Sequence, residues 1–64
     1  MKNRIKKLRK KHGYRQEDLA IKMNVTRQTI NAIENNKYCP SLILGIKLAK
    51  LLKTKVESLF LINE

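Results

Sequence analysis

The chain has 64 residues, so short that its folded form buries only ~60% of the surface the unfolded chain exposes; a single small core is all it can build, which leaves little room for an enclosed catalytic pocket. Fifteen Lys and Arg against five Asp and Glu give a formal charge of +10, a balance suited to an acidic polymer or an anionic surface rather than a small neutral substrate. One cysteine excludes a secreted scaffold held by internal disulfides and fits a cytoplasmic location.

Residues 2 to 11 read as a first helix. Seven positive charges surround Ile5 and Leu8, a stripe too narrow to insert strongly at a membrane surface and wide enough to dock on a core. The basic start is followed by no apolar run of signal-peptide kind, and no stretch approaches the ~20 apolar residues of a membrane span. Gly13 ends this helix in a left-handed cap, which puts His12 at the negative end of the helix dipole.

A second helix, residues 16 to 23, gathers Leu19, Ala20 and Met23 on one face and sets Glu17 and Asp18 in its first turn. Arg15 stands at its N-cap without a short acceptor, so a frayed start is expected. Asn24 suits a left-handed turn, Val25 packs inward, and Thr26 caps a third helix with its hydroxyl. Ile30 and Ile33 form the buried stripe of that helix, leaving Arg27, Gln28 and Asn31 off the stripe near its start. Asn35 or Asn36 ends it, and Pro40 closes the loop that follows. Cys39 in that loop is read as partly buried and inert.

Ser41 caps a fourth helix, residues 42 to 52, with more apolar positions than one stripe needs. The surplus implies cover on more than one side, by the other helices or by a second copy of the chain. Gly45 within it costs ~1 kcal/mol against alanine, which close approach of a neighbouring helix would explain. Thr54 and Glu57 have the spacing of a capping box, opening a short fifth helix through Val56 and Leu59. Phe60-Leu61-Ile62 is either a last helical turn or a short strand. As a sticky apolar end it points to self-association, and Ile43, Leu51, Val56, Leu59, Phe60, Leu61 and Ile62 are the expected homodimer interface.

The third helix carries the chemistry. Arg27 matches the paired acceptors of guanine, and the amides of Gln28 and Asn31 match the donor and acceptor edge of adenine, so these three are the expected base contacts. Gln16 begins the preceding helix, where an amide and free backbone N–H groups can meet one phosphate. Lys10, Lys11, Arg15, Thr26, Thr29, Asn35 and Lys37 complete the expected contacts to the DNA backbone. The plainer alternative for all of these is an ordinary solvated helix surface. Glu34 follows core residue Ile33 near the end of the third helix, where a carboxylate needs a cation; Arg9, one residue past Leu8, is the expected partner, with other Arg or Lys side chains of the first helix as alternatives. No catalytic set, metal cluster or phosphate-cradling loop is legible, nor is there an aromatic platform for stacked RNA bases.

Leu8 through Leu52 resembles the bacteriophage-repressor type of helix-turn-helix, the Cro/C1 or xenobiotic-response-element-like family. The residues that carry the likeness are Gln16-Glu17-Asp18-Leu19-Ala20, Val25-Thr26-Arg27-Gln28-Thr29-Ile30, Ile33-Glu34-Asn35-Asn36-Lys37 and Pro40-Ser41-Leu42. The resemblance implies an all-α, five-helix lambda-repressor-like fold over residues 1–64, here with a short C-terminal strand used in dimerisation as an option. It implies a DNA-reading unit at 16–35, base contacts at Arg27, Gln28 and Asn31, phosphate contacts at Gln16 and the loop after the third helix, and a buried Arg9–Glu34 pair. It also implies a non-enzymatic transcriptional regulator that needs no cofactor, metal or small-molecule substrate, binds double-stranded DNA, is often a homodimer, and in some relatives acts as an antitoxin with a toxin-like protein partner. Asn24, Arg15, Gly45 and Lys53 depart from the family's usual residues, which bears on local stability more than on function.

Overall fold

In chain order, the computed structural model, which describes residues 2–61, runs β1 (Lys2–Asn3), α1 (Ile5–Lys11), α2 (Gln16–Met23), α3 (Arg27–Glu34), α4 (Leu42–Leu51), α5 (Val56–Leu59) and β2 (Phe60–Leu61). The architecture is the expected five-helix, lambda-repressor-like one, with a two-stranded ribbon added.

The first four helices stop in the same way. Gly13, Asn24, Asn36 and Lys53 adopt positive φ of 76°, 58°, 61° and 55°. In each case the N–H of that residue and of the next fold back onto carbonyls of the last turn, as in Gly13 to Lys10 and Tyr14 to Arg9, or Asn36 to Ile33 and Lys37 to Ala32. This double closure satisfies carbonyls that a helix end leaves free. Glycine and asparagine tolerate the left-handed geometry, whereas Lys53 bears its steric cost. Two of the starts are equally local: Thr26 Oγ1 accepts the Thr29 N–H at 3.1 Å and Ser41 Oγ accepts the Leu44 N–H at 3.2 Å.

Ile5, Leu19, Ala20, Ile30, Ile33, Leu48, Ala49, Leu52, Leu59 and Phe60 form the core, so every helix contributes to it. Leu8, Met23, Val25, Leu44, Leu51 and Val56 pack around its edge. No helix among the described residues is long and apolar enough to cross a membrane.

Several expectations are corrected. The first helix begins at Ile5 and not at residue 2, because Lys2 and Asn3 pair antiparallel with Leu61 and Phe60. The C-terminal strand thus takes the chain's own N-terminus as its partner, and the Arg4 N–H extends the pairing to the Leu59 carbonyl at 2.8 Å. Leu59 and Phe60, expected at a dimer interface, are 0% and 5% exposed inside the protomer. Ile62 lies outside the described residues.

The start of α2 is held rather than frayed: the Asp18 carboxylate accepts the Arg15 backbone N–H at 2.7 Å, the half of a capping box that arginine at the N-cap does not preclude. Lys55, not Thr54, precedes α5, since the Thr54 N–H is committed to the Ala49 carbonyl at the close of α4. Cys39 is exposed. Beyond Gly45, Leu48 and Ala49, the fourth helix leaves Leu42, Ile43 and Ile46 in solvent at 74%, 67% and 36% exposure, so the other helices do not cover its surplus.

What lies over Gly45 is the Phe60 ring, not a helix: a Cβ built there would sit 3.4 Å from Phe60 Cε2. That is ordinary contact, so a methyl fits and the helix preference for alanine decides the sign. Gly45→Ala is expected to raise stability by up to ~1 kcal/mol in urea unfolding, and a loss of stability would show that the ring cannot yield.

Candidate nucleic-acid interface

Asn24, Val25 and Thr26 are the whole connection between α2 and α3. The left-handed Asn24 reverses the chain, the Val25 N–H bonds back to the Ala20 carbonyl at 2.9 Å, and Thr26 opens the next helix at once. Leu19 and Ala20 of the one and Ile30 and Ile33 of the other are buried in the common core. With so short a turn and both inner faces packed, the second helix of the pair is presented as a rigid element.

Arg27, Gln28 and Asn31 are all exposed on its outer side. Together with half-buried Gln16 from the start of α2 they line one open concave surface. These four sequence-selected residues, drawn from two helices, therefore meet in one place. Asn35, exposed at the end of α3, donates from Nδ2 to the Asn31 carbonyl at 2.9 Å and to Asn31 Oδ1 at 3.3 Å, which turns the Asn31 amide nitrogen away from that contact as a free donor.

Lys10, Lys11, Arg15, Thr26 and Lys37 are exposed as well, at the end of α1, before α2, before α3 and after α3. Thr29 stands apart. Its hydroxyl lies 2.9 Å from that of Thr26, and its side chain lines a different groove, toward Val25, Tyr38, Ser41 and Ile43.

Behind this surface lies the ion pair. Arg9 Nε donates to Glu34 Oε2 at 2.6 Å and Nη2 donates to Oε1 at 3.2 Å, with the two side chains 9% and 2% exposed. The third guanidinium nitrogen, Nη1, donates to the Tyr14 carbonyl at 3.1 Å. The pair thus ties α1, the turn after it and the end of α3 together. Its fork-to-fork geometry is the form in which a buried charge is best satisfied.

Asn3 is a residue that sequence reasoning missed. Its Nδ2 donates to the Ile33 carbonyl at 2.9 Å and to Asn36 Oδ1 at 3.0 Å, while its Oδ1 accepts the Ile5 N–H at 3.1 Å. One amide thereby caps α1 and pins the C-terminal end of α3. The contacts span 30 and 33 residues, and no local pattern announces them.

The family described as Helix-turn-helix matches residues 5–59. The chain is 47% identical over 64 residues to the Bacillus subtilis protein named Uncharacterized HTH-type transcriptional regulator YgzD, covering 100% of this chain and 97% of that one. It is 50% identical to an uncharacterized HTH-type transcriptional regulator of Methanocaldococcus jannaschii, again over 100% and 97% of the two chains. An uncharacterized HTH-type transcriptional regulator of Archaeoglobus fulgidus is 42% identical, over 100% of this chain and 91% of its own. This chain belongs to the Cro/C1-type helix-turn-helix family of transcriptional regulators.

Proposed function

We propose that the protein binds double-stranded DNA sequence-specifically, as one domain that acts as a cytoplasmic transcriptional repressor and works as a homodimer on a palindromic operator. The observation that supports this most is the shared outward surface of Gln16, Arg27, Gln28 and Asn31 on a helix whose opposite face is locked in the core. A helix of this kind enters the major groove with its first residues against base edges. Arg27 then reads guanine, Gln28 and Asn31 read adenine or order their neighbours, and Lys10, Lys11, Arg15, Gln16, Thr26, Asn35 and Lys37 seat on phosphates.

Two or three bidentate contacts at ~1 to 3 kcal/mol each fall short of the specificity ratio a regulator needs, and a symmetric pair doubles them. Ile43, Leu51, Val56 and Leu61 remain as accessible apolar positions for that second copy, Ile43 the most exposed of them. The chemistry calls for no cofactor, metal or small-molecule substrate.

Titration of a duplex across salt tests the electrostatic half of this reading. With eight phosphates neutralised by a dimer, log affinity should fall against log salt with a slope of about −7. Lys37→Ala is expected to weaken all duplexes alike and to flatten the slope by ~1 for each contact removed. A flat slope would contradict DNA binding. A second reading, a protein-interaction module such as the antitoxin of a toxin-like protein, draws on the exposure of Leu42 and Ile43. A stoichiometric partner that copurifies and occludes this apolar face would favour it.

A further inference from the structure

Gln16 is not free to present its amide in either sense. Its Nε2 lies 3.0 Å from Glu34 Oε1, and a carboxylate only accepts, so the amide nitrogen must be the corner turned inward. The Glu34 side chain is 2% exposed and clamped through both oxygens by Arg9. The carboxylate is therefore a fixed point, set by the core and not by solvent.

We propose that Glu34 is a positioning residue for the nucleic-acid surface, acting through Gln16: the buried ion pair reaches the interface by one hydrogen bond and fixes which atoms of Gln16 are offered there. With one amide N–H spent on Glu34, Gln16 offers its other N–H to a phosphate. Its carbonyl oxygen is left for the donors it shares a surface with, those of Arg27, Gln28 and Asn31. Without that anchor a glutamine at a helix start samples both amide senses and several rotamers, and ordering it on binding costs affinity. The pair that holds the helices together would thus also preset the interface. This inference rests on the DNA reading above and adds a residue that never touches the duplex.

The test needs a fold that survives without the pair. Glu34→Ala alone strands the Arg9 charge, so the informative chain is the double variant Arg9→Met with Glu34→Leu, in which apolar groups of similar volume replace both partners. Gln16→Ala is made in the natural chain and in this double variant, and affinity for a mixed-sequence DNA duplex is measured at one salt concentration. In the natural chain Gln16→Ala is expected to cost about fivefold, one hydrogen bond's worth. In the double variant, already weakened to a similar extent, the same substitution is expected to cost less than about twofold. Equal losses in both backgrounds would overturn the proposal.

The side-chain amide resonances of Gln16 supply a readout that a purely structural pair would not move. In the unaltered chain one amide proton is expected to be shifted and slow to exchange, free and duplex-bound alike; two ordinary, fast-exchanging protons would overturn the proposal even if the double variant failed to fold. Absence of duplex binding by the unaltered chain would bring down the DNA reading and this inference with it. Binding with additive losses would bring down this inference alone.

Discussion

Arg9→Ala is expected to destabilise the protein by about 3 to 5 kcal/mol, because it leaves the Glu34 carboxylate buried with its strongest partner gone. Among the described residues, the Gln16 amide is the one other side chain that hydrogen-bonds this carboxylate. A chain of this length has only ~3 to 10 kcal/mol of stability in total, so the variant should be substantially unfolded near its melting range while the parent is intact. Urea denaturation followed by circular dichroism reads the difference directly. The control is the Arg9→Met, Glu34→Leu double variant, expected within about 1 kcal/mol of the parent or above it. A loss below about 1 kcal/mol for Arg9→Ala would mean that water reaches the carboxylate and that the pair is a surface contact in solution.

The second large effect falls on binding and spares the fold. Arg27, Gln28 and Asn31 are exposed, so alanine at any of them should change stability by no more than ~0.5 kcal/mol. At the operator, each lost bidentate contact costs ~1 to 3 kcal/mol, or about 5-fold to 150-fold, and a homodimer loses it twice. Arg27→Ala and Gln28→Ala are each therefore expected to weaken operator binding by about 30-fold or more while relaxing preference at one position per half-site. Competition with non-specific duplex separates this from a phosphate effect. If both kinds of DNA weaken in parallel, Arg27 and Gln28 seat the helix and do not read it.

Much of the helical frame was legible because its determinants are local. The left-handed caps at Gly13, Asn24 and Asn36 and the hydroxyl caps at Thr26 and Ser41 each depend on neighbours within a few residues. The Arg9–Glu34 pair spans 25 residues yet still announces itself, because Glu34 follows core residue Ile33, Arg9 follows Leu8 at the core's edge, and neither charge can be buried alone.

The ribbon was not legible for the opposite reason. Two-residue strands have no period to detect, and the pairing of Asn3 with Phe60 joins the two ends of the chain. Once that pairing exists, Phe60 must turn inward over Gly45, which removes it and Leu59 from any outer face. The tethers from Asn3 to the end of α3 and from Gln16 to Glu34 follow from tertiary packing alone. Surplus apolar residues on α4 were visible in the sequence, but whether the protomer covers them depends on where the short helix and ribbon finally lie.

Selection of bound duplexes from a random pool, at a stated salt concentration, tests the central claim most directly. The expected result is a short palindrome with half-sites about one helical turn, roughly 34 Å, apart, whose informative positions degrade when Gln28→Ala is selected in parallel. A pool that yields no common sequence, or one whose preference is unchanged by altering Arg27, Gln28 and Asn31, would contradict the assignment of the third helix as the reading element.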